Sequence, residues 1–212
     1  MNDTSGPRRA MVDNQIIARG ISDPRVIDAM LQVPRELFVP EAARALAYSD
    51  QPLAIGEGQT ISQPYIVALM IEAAAIGPED HVLEIGAGSG YAAAVMGRIA
   101  HTVHAVERLP ALARAAGERM RALGIDNVTI IAADGTRGWR AHAPYDAILV
   151  PAAAAALPPE LPDQLAARGR LVLPLGPASQ QRLIRLTRRE DGGLAEADLG
   201  DVRFVPLIAA DG

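Results

Sequence analysis

Along most of the chain, short runs of aliphatic residues alternate with longer stretches in which apolar residues recur every three or four positions. This alternation predicts strands separated by helices, and therefore an α/β fold with a largely parallel sheet. The pattern predicts strands over residues 82–85, 102–107, 127–132, 145–150, 169–176 and 182–188. It predicts helices after the first strand, over residues 110–123 and over residues 158–167.

The amino-terminal third has a different pattern, in which helical stretches are separated by turns and no long aliphatic run occurs. Apolar spacing predicts a helix over residues 8–19 that ends at Gly20. The pair Asp23-Pro24 predicts the start of a second helix, because Asp caps a helix and Pro suits its first position. A third helix is expected over residues 64–75, and residues 1–7 are expected to be disordered.

Three glycines spaced two apart follow the strand at residues 82–85, and an acidic residue, Glu84, precedes the first of them by two positions. A strand, a glycine turn and a helix in this order build the nucleotide site of a doubly wound sheet. A dinucleotide fingerprint would require glycine at position 91, which is Tyr91 here, so a nicotinamide oxidoreductase is disfavoured. The order E-x-G-x-G-x-G, ending at Gly90, instead resembles motif I of S-adenosylmethionine-dependent methyltransferases with a Rossmann-like fold.

A second acidic residue stands at the end of the next strand, about 20 positions beyond the glycine turn. This residue, Glu107, is placed to accept hydrogen bonds from both hydroxyls of a ribose. The alternative for Glu107 is a solvated carboxylate at a strand end.

The amino-acid composition excludes several classes of catalytic mechanism and of binding partner. The chain has 212 residues, which predicts one domain, and it contains no cysteine, so thiolate chemistry and disulfides are excluded. Its 20 basic residues are all arginine, which excludes a lysine Schiff base. A net charge of −5 argues against nonspecific nucleic-acid binding. We expect no membrane span and a cytoplasmic location, because no long apolar run or signal-like segment occurs.

Three segments carry a more specific resemblance. They are V-P-R-E-L-F-V-P-E at 33–41, G-Q-T-I-S-Q-P-Y-I-V-A at 58–68 and V-L-E-I-G-A-G-S-G-Y at 82–91. In this order and spacing the chain, from about residue 11 to 207, resembles the protein-L-isoaspartate O-methyltransferase family. That family methylates the abnormal carboxylate of isoaspartyl residues in damaged proteins and peptides, and this repair leads through a succinimide.

The resemblance implies a single Rossmann-like methyltransferase domain over residues 1–212, with a doubly wound, mostly parallel seven-stranded sheet. Residues 1–75 would form a helical extension on the substrate side, and residues 76–212 the cofactor-binding core. The closing segment 202–207 would be the final strand. The implied partners are isoaspartyl proteins and peptides, and a monomer is expected.

The resemblance also implies the site residues. The cofactor S-adenosylmethionine, which leaves as S-adenosylhomocysteine, would be bound by Gln59, Thr60, Ile61, Ser62, Glu84, Gly86, Gly88, Glu107, Asp134 and Gly135. Ser62 would be the catalytic residue and would orient the acceptor carboxylate. Val205 would lend main-chain groups to the substrate. Sequence pattern alone favours Ser62 as an N-cap for the helix that Pro64 begins, and it is the surrounding family motif that favours the catalytic role.

The reaction needs few catalytic groups. A carboxylate with a pKa near 4 is ionised at neutral pH, so methyl transfer to it requires no general base. Alignment and removal of water have to supply the rate enhancement. No metal site is expected, since no histidine has an acidic partner at metal-ligand spacing.

Three departures from the family pattern leave alternatives open. Pro151 stands where Thr or Gly is usual, Ala133 replaces a glycine, and Arg168 replaces the first glycine of a G-G turn. All three are expected near the ligand edge of the sheet. They motivate a second hypothesis, the same fold and cofactor with a different carboxylate acceptor, such as a dedicated peptide or a small acid. A third hypothesis is a SAM-binding protein without catalytic activity.

Overall fold

A computed structural model describes residues 4–209 of the chain. Within this range the strands form one small and one large sheet. In chain order they are β1 (Leu53–Gly56), β2 (Gln59–Ile61), β3 (His81–Ile85), β4 (Thr102–Glu107), β5 (Val128–Ala132), β6 (Tyr145–Leu149), β7 (Leu165–Leu175), β8 (Gln181–Arg188) and β9 (Leu194–Val202). The longer helices are α1 (Ser5–Met11), α2 (Pro24–Gln32), α3 (Pro64–Ala73), α4 (Tyr91–Gly97) and α5 (Pro110–Ala122).

The large sheet has seven strands in the order β5-β4-β3-β6-β7-β8-β9, as the resemblance implies. Strands β5, β4, β3, β6 and β7 are parallel, whereas β8 and β9 continue the sheet antiparallel. Because these five strands run in the same direction, their carboxyl ends all lie at the same edge of the sheet. Leu83, Ile148 and Leu171 are fully buried, and this central part of the sheet is covered on both faces.

The amino-terminal extension packs onto this core. Helical structure is continuous from α1 through a π-helical segment, Val12–Ile16, and a 3-10 segment, Ile17–Arg19. It ends at Gly20, whose φ of 97° is left-handed, as predicted. Asp23 accepts a hydrogen bond from Arg25 N at the start of α2, as its capping pattern predicts. The expectation of disorder over residues 1–7 is wrong for residues 5–7, which lie in α1, and residues 1–3 fall outside the described range.

The predicted helix over residues 158–167 is wrong. The structure has only a short 3-10 turn there, Pro162–Gln164, and β7 already begins at Leu165. Prolines at 158, 159 and 162 explain the difference, because proline removes a helical N–H donor and clashes with the preceding turn. Leu165 instead pairs with Tyr145 of β6.

The strand expected over residues 202–207 is also mostly wrong, since regular pairing in β9 ends at Val202. Beyond it, Ala153 N donates to Val205 O at 2.8 Å and Leu207 N donates to Ala153 O at 2.8 Å. Pro206, between these contacts, has no N–H and forms an isolated bridge with Ala153. The closing segment therefore docks on the loop after β6 without extending a strand.

Two elements have no counterpart in the sequence-based prediction. Strands β1 and β2 form a short antiparallel hairpin in which Leu53 pairs with Ile61. Strand β9 lies at the edge of the large sheet, paired with β8. Only four and three residues form β1 and β2, too few for periodicity to be visible.

Candidate functional site

The loop between β3 and α4 is shaped by its glycines. Gly86, Gly88 and Gly90 have φ values of 95°, 53° and 84°, a left-handed conformation that side chains with a Cβ rarely adopt. The N–H groups of Gly86 and Ala87 both donate to Val106 O of β4, at 2.8 and 3.1 Å. The loop is thereby held at the carboxyl edge of the sheet, where α4 begins.

Glu107 closes the neighbouring strand and is bound to this loop. Its Oε2 accepts a hydrogen bond from Gly88 N at 2.8 Å, and its Oε1 accepts one from Leu109 N at 2.9 Å. The side chain is buried. The carboxylate is therefore not the solvated strand end that was the alternative, and its remaining lone pairs are free to accept ligand hydroxyls.

Glu84 lies beneath the same loop and is 1% exposed. Its Oε2 is buried and makes no hydrogen bond with any residue of the described part of the chain. Burial, together with the charge of Glu107, raises the pKa of Glu84 well above its usual value. An unpaired acceptor inside a site is costly without a ligand, and a cationic group is the partner it suits best.

Asp134 and Gly135 follow β5 at the same edge. Asp134 Oδ1 accepts a hydrogen bond from Thr136 N at 2.8 Å, which fixes the turn. A Cβ on Gly135 would lie 2.9 Å from Ile85 Cγ2, so this position has no room for a side chain. Glycine here lets the turn approach the ends of β3 and β4.

Two adjoining cavities open at this edge and together include every site residue expected from the sequence. Both are lined by Thr60, Gly86, Gly88 and Pro151. The first is also lined by Ile61, Ser62 and Glu84. The second is also lined by Gln59, Glu107, Asp134, Gly135 and Val205.

Ser62 follows β2 and lines the first cavity. The helix-capping alternative for Ser62 is wrong, because the N-cap of α3 is Gln63, and Gln63 makes no capping hydrogen bond. Among residues 4–209, the one hydrogen bond to Ser62 comes from Arg35 Nη2, which donates to Ser62 O at 2.7 Å. The hydroxyl is therefore available to a ligand in the cavity.

The three departures from the family pattern do not lie together. Pro151 lines both cavities, and Ala133 N donates to Glu107 O at 3.0 Å, close to the site. Arg168 is at the opposite edge, near the amino end of β6, where it pairs with Glu190. The expectation that Arg168 lies near the ligand edge is wrong, because it lies in the amino-terminal part of a strand parallel to β6, whereas the cavities open at the carboxyl ends of these strands.

Sequence reasoning missed two arginines that support the site. Arg119 lies on α5, where its Nε donates to Leu37 O at 3.0 Å and its Nη1 donates to Ser89 O at 3.1 Å. Burial lowers its pKa. Arg35 is completely buried. Sequence spacing gives no signal for the contacts of these two arginines, because their partners are main-chain carbonyls from distant segments.

Residues 4–209 contain no group of three or more His, Asp or Glu side chains that could bind a metal ion. The histidines instead form two ring pairs, His81 with His101 and His104 with His142, away from the cavities. In the same range no helix combines the length and apolarity that a bilayer crossing requires.

The polar groups that line the two cavities fit S-adenosylmethionine. An acidic strand end can accept ribose hydroxyls, the Asp134 turn lies along the same cavity, and an unpaired buried carboxylate suits an ammonium group. The glycine spacing, the missing glycine at Tyr91 and the antiparallel β8 and β9 distinguish the protein from dinucleotide-binding proteins. Fold and site together define a Rossmann-like methyltransferase that uses S-adenosylmethionine.

Comparison with known proteins identifies the family. The sequence model of protein-L-isoaspartate(D-aspartate) O-methyltransferase matches residues 7–212. The protein-L-isoaspartate O-methyltransferase 2 of Pelobacter propionicus is 55% identical over 206 residues, which cover 97% of this chain and 92% of that protein. The protein-L-isoaspartate O-methyltransferase of Roseiflexus castenholzii is 58% identical over 206 residues, 97% of this chain and 94% of that protein.

Among solved structures, a Plasmodium falciparum protein-L-isoaspartate O-methyltransferase in complex with S-adenosyl-L-homocysteine superposes with a TM-score of 0.82. It is 30% identical, and the match covers 95% of this chain and 98% of that one. The chain belongs to the protein-L-isoaspartate(D-aspartate) O-methyltransferase family.

Proposed function

We propose that the protein transfers the methyl group of S-adenosylmethionine to the carboxylate of L-isoaspartyl residues in damaged proteins and peptides. The observation that carries this proposal is the placement of Ser62. Ser62 lines a cavity that adjoins the Glu107 and Asp134 cavity, and both share Thr60, Gly86 and Gly88. Family membership agrees with this activity.

The cofactor residues divide by chemistry. Glu107 accepts the ribose hydroxyls, and the turn of Asp134 and Gly135 borders the adenine. Glu84 would hold the ammonium end of the cofactor, and the loop from Gly86 to Gly88, whose N–H groups are bonded to Val106 and Glu107, would border it. Gln59, Thr60, Ile61 and Ser62 would lie along its other side. When bound, the cofactor supplies a methyl group activated by its sulfonium charge.

On the acceptor side, the carboxylate oxygen has to be oriented towards the methyl group and shielded from water. An isoaspartyl carboxylate is ionised at neutral pH, so Ser62 acts by donating one hydrogen bond that fixes which oxygen faces the methyl group. Apolar neighbours in the first cavity, Ile61, Val67 and Leu149, exclude water from that oxygen.

Val205 is proposed to bind the substrate main chain. Its carbonyl already accepts a hydrogen bond from Ala153 N. No hydrogen bond within residues 4–209 uses its N–H, so this donor is available to a peptide carbonyl. The next residue, Pro206, has no N–H to offer.

A second candidate keeps the cofactor and changes the acceptor. Pro151 favours it, because its ring lines both cavities and removes a main-chain donor where the family usually has Thr or Gly. Under this alternative the acceptor is a dedicated peptide or a small carboxylic acid.

The deciding experiment uses methyl-labelled S-adenosylmethionine and two peptides that differ only in Asp against isoAsp. The expected result is a base-labile methyl ester on the isoAsp peptide alone, and its loss in Ser62→Ala while S-adenosylhomocysteine still binds. Labelling of neither peptide, with intact cofactor binding, would contradict repair and direct the search to other carboxylates. Binding without labelling of any carboxylate would favour a noncatalytic protein.

We further propose that the protein is a cytoplasmic monomer that does not bind nucleic acid, with residues 1–75 acting as the substrate-side extension of one domain. The net charge of −5 supports the absence of a nucleic-acid partner. Only four large apolar residues are exposed among residues 4–209, which supports the monomer: Ile17, Leu37, Leu46 and Ile208. Sedimentation equilibrium tests the oligomeric state.

A further inference from the structure

Arg35 is the most deeply buried charged residue outside the cofactor cavities. Its side chain is 0% exposed, and it lies on the 3-10 turn Arg35–Phe38 of the extension. Burial lowers its pKa, but a guanidinium remains charged at neutral pH. Within residues 4–209 it forms no ion pair with a carboxylate. A buried cation without a carboxylate is expensive, so its retention calls for a specific task.

The guanidinium connects three segments. Its Nε donates to Ala47 O at 2.8 Å, and its Nη2 donates to Ser62 O at 2.7 Å. The Tyr91 ring lies under it, with the Cζ atom 4.7 Å from the ring centroid. Tyr91 is the first residue of α4, directly after the glycine loop, and lines the same cavity as Ser62. One planar group therefore fixes the acceptor segment relative to the cofactor loop.

The contact to Ser62 matters because little else holds that residue. Pairing of β2 with β1 ends at Ile61, and α3 begins at Pro64. Between them the Ser62 main chain receives its one hydrogen bond, among the described residues, from Arg35. Ser62 therefore lines the first cavity with a main chain that Arg35 holds in place.

We propose that Arg35 is a positioning residue that holds the Ser62 segment at the acceptor position, through the Ser62 carbonyl. The proposal rests on the proposed function, in which Ser62 orients the acceptor. A displacement of about 1 Å at a reacting group can cost about 10²-fold in rate, so loss of this anchor is expected to act on turnover more than on cofactor binding.

Arg35→Lys is the informative variant. It keeps the positive charge, but an ammonium cannot span both carbonyls with a planar fork. We expect kcat for the isoAsp peptide to fall by about 10²-fold, with an unchanged dissociation constant for S-adenosylhomocysteine by calorimetry. An unchanged kcat, or a matching loss of cofactor affinity, would overturn the proposal in favour of a structural role.

A double-mutant cycle with Ser62→Ala separates the two roles further. If Arg35 acts through Ser62, Arg35→Lys adds little to the loss already caused by Ser62→Ala, so the two effects are strongly non-additive. Full additivity would overturn the proposal. Failure of the proposed function is distinguishable, since then the unmodified protein itself would not label the isoAsp peptide.

Arg170 offers a matched control. It also binds two main-chain carbonyls, those of Ala74 and Ala75, at the far side of the molecule, and it pairs with Asp80. Arg35→Ala and Arg170→Ala are assayed with and without added guanidinium, which can refill the vacated space. Restored turnover for Arg35→Ala alone supports the proposal. Equal rescue, or no rescue of a folded Arg35→Ala, contradicts it.

Discussion

Glu107 Oε2 accepts a hydrogen bond from Gly88 N at 2.8 Å and so joins the end of β4 to the glycine loop that follows β3. The second oxygen is held by Leu109 N at 2.9 Å. Both oxygens thus face main-chain donors, which sets the carboxylate plane before any ligand arrives. Preorganised groups bind a ligand without a further ordering cost.

Glu107→Gln is expected to weaken S-adenosylhomocysteine binding by about 10- to 100-fold. The amide replaces one acceptor oxygen by an NH₂ group, which would face an N–H donor, and hydrogen bonds to charged groups contribute about 1.5–3 kcal/mol. Titration calorimetry measures this loss. Glu118→Gln on the exposed face of α5 is the control and should bind as the unmodified protein does. Equal affinity of both variants would remove Glu107 from the site.

Much of the core was predictable from the sequence because its signals are local. The glycine turn, the acidic strand ends and the capping pair Asp23-Pro24 each act through neighbours in the chain. The family resemblance added Ser62 and Val205, whose patterns alone are ambiguous. The predicted helix over residues 158–167 failed partly on a local signal, its three prolines. The early start of β7 depends on a distant partner instead, because Leu165 pairs with Tyr145.

Arginine contacts were unpredictable for the same reason. Arg35 reaches carbonyls 12 and 27 positions away, and Arg119 reaches one 82 positions away. Every residue type has a main-chain carbonyl, so no sequence pattern shows which carbonyl accepts the hydrogen bond. Arg119 on a helical face has the spacing of a solvated residue, and only the tertiary structure shows its two bonds.

Glu84 connects cofactor binding with pH. Burial and the nearby Glu107 charge raise its pKa, so the folded apoprotein keeps a proton that the unfolded chain releases near pH 4.5. The unfolded state then binds fewer protons, and the free energy of unfolding falls as pH rises from that value to the raised pKa. The slope within this window is at most about 1.4 kcal/mol per pH unit.

Glu84→Gln is therefore expected to make the apoprotein more stable at pH 8 and to flatten this pH dependence, as denaturant unfolding at pH 5 and pH 8 would show. The same change should weaken cofactor binding, because a neutral amide lacks the negative charge that strengthens a hydrogen bond to an ammonium group. In the unmodified protein, affinity for S-adenosylhomocysteine should rise with pH over the same window, with release of a proton. A variant that is no more stable than the parent at pH 8 would contradict a buried, protonated Glu84.

Gly135→Ala should damage stability and cofactor binding together. The added Cβ would lie 2.9 Å from Ile85 Cγ2 and 3.2 Å from Val106 Cγ1, and overpacking of this kind costs about 1–3 kcal/mol. Relief of the clash requires the Asp134 turn to move away from the ends of β3 and β4, which would open the cavity it borders.

The control for this prediction is Gly117→Ala in α5, where the nearest atom to an added Cβ is Arg121 Nη1 at 3.9 Å. Alanine is favoured over glycine inside a helix by about 1 kcal/mol, so this variant should unfold at a slightly higher temperature and bind the cofactor normally. Thermal unfolding and calorimetry of the pair distinguish a local steric effect from a general intolerance of glycine replacement. If Gly135→Ala matched Gly117→Ala in both measurements, the tight fit at the end of β5 would not govern the cofactor turn.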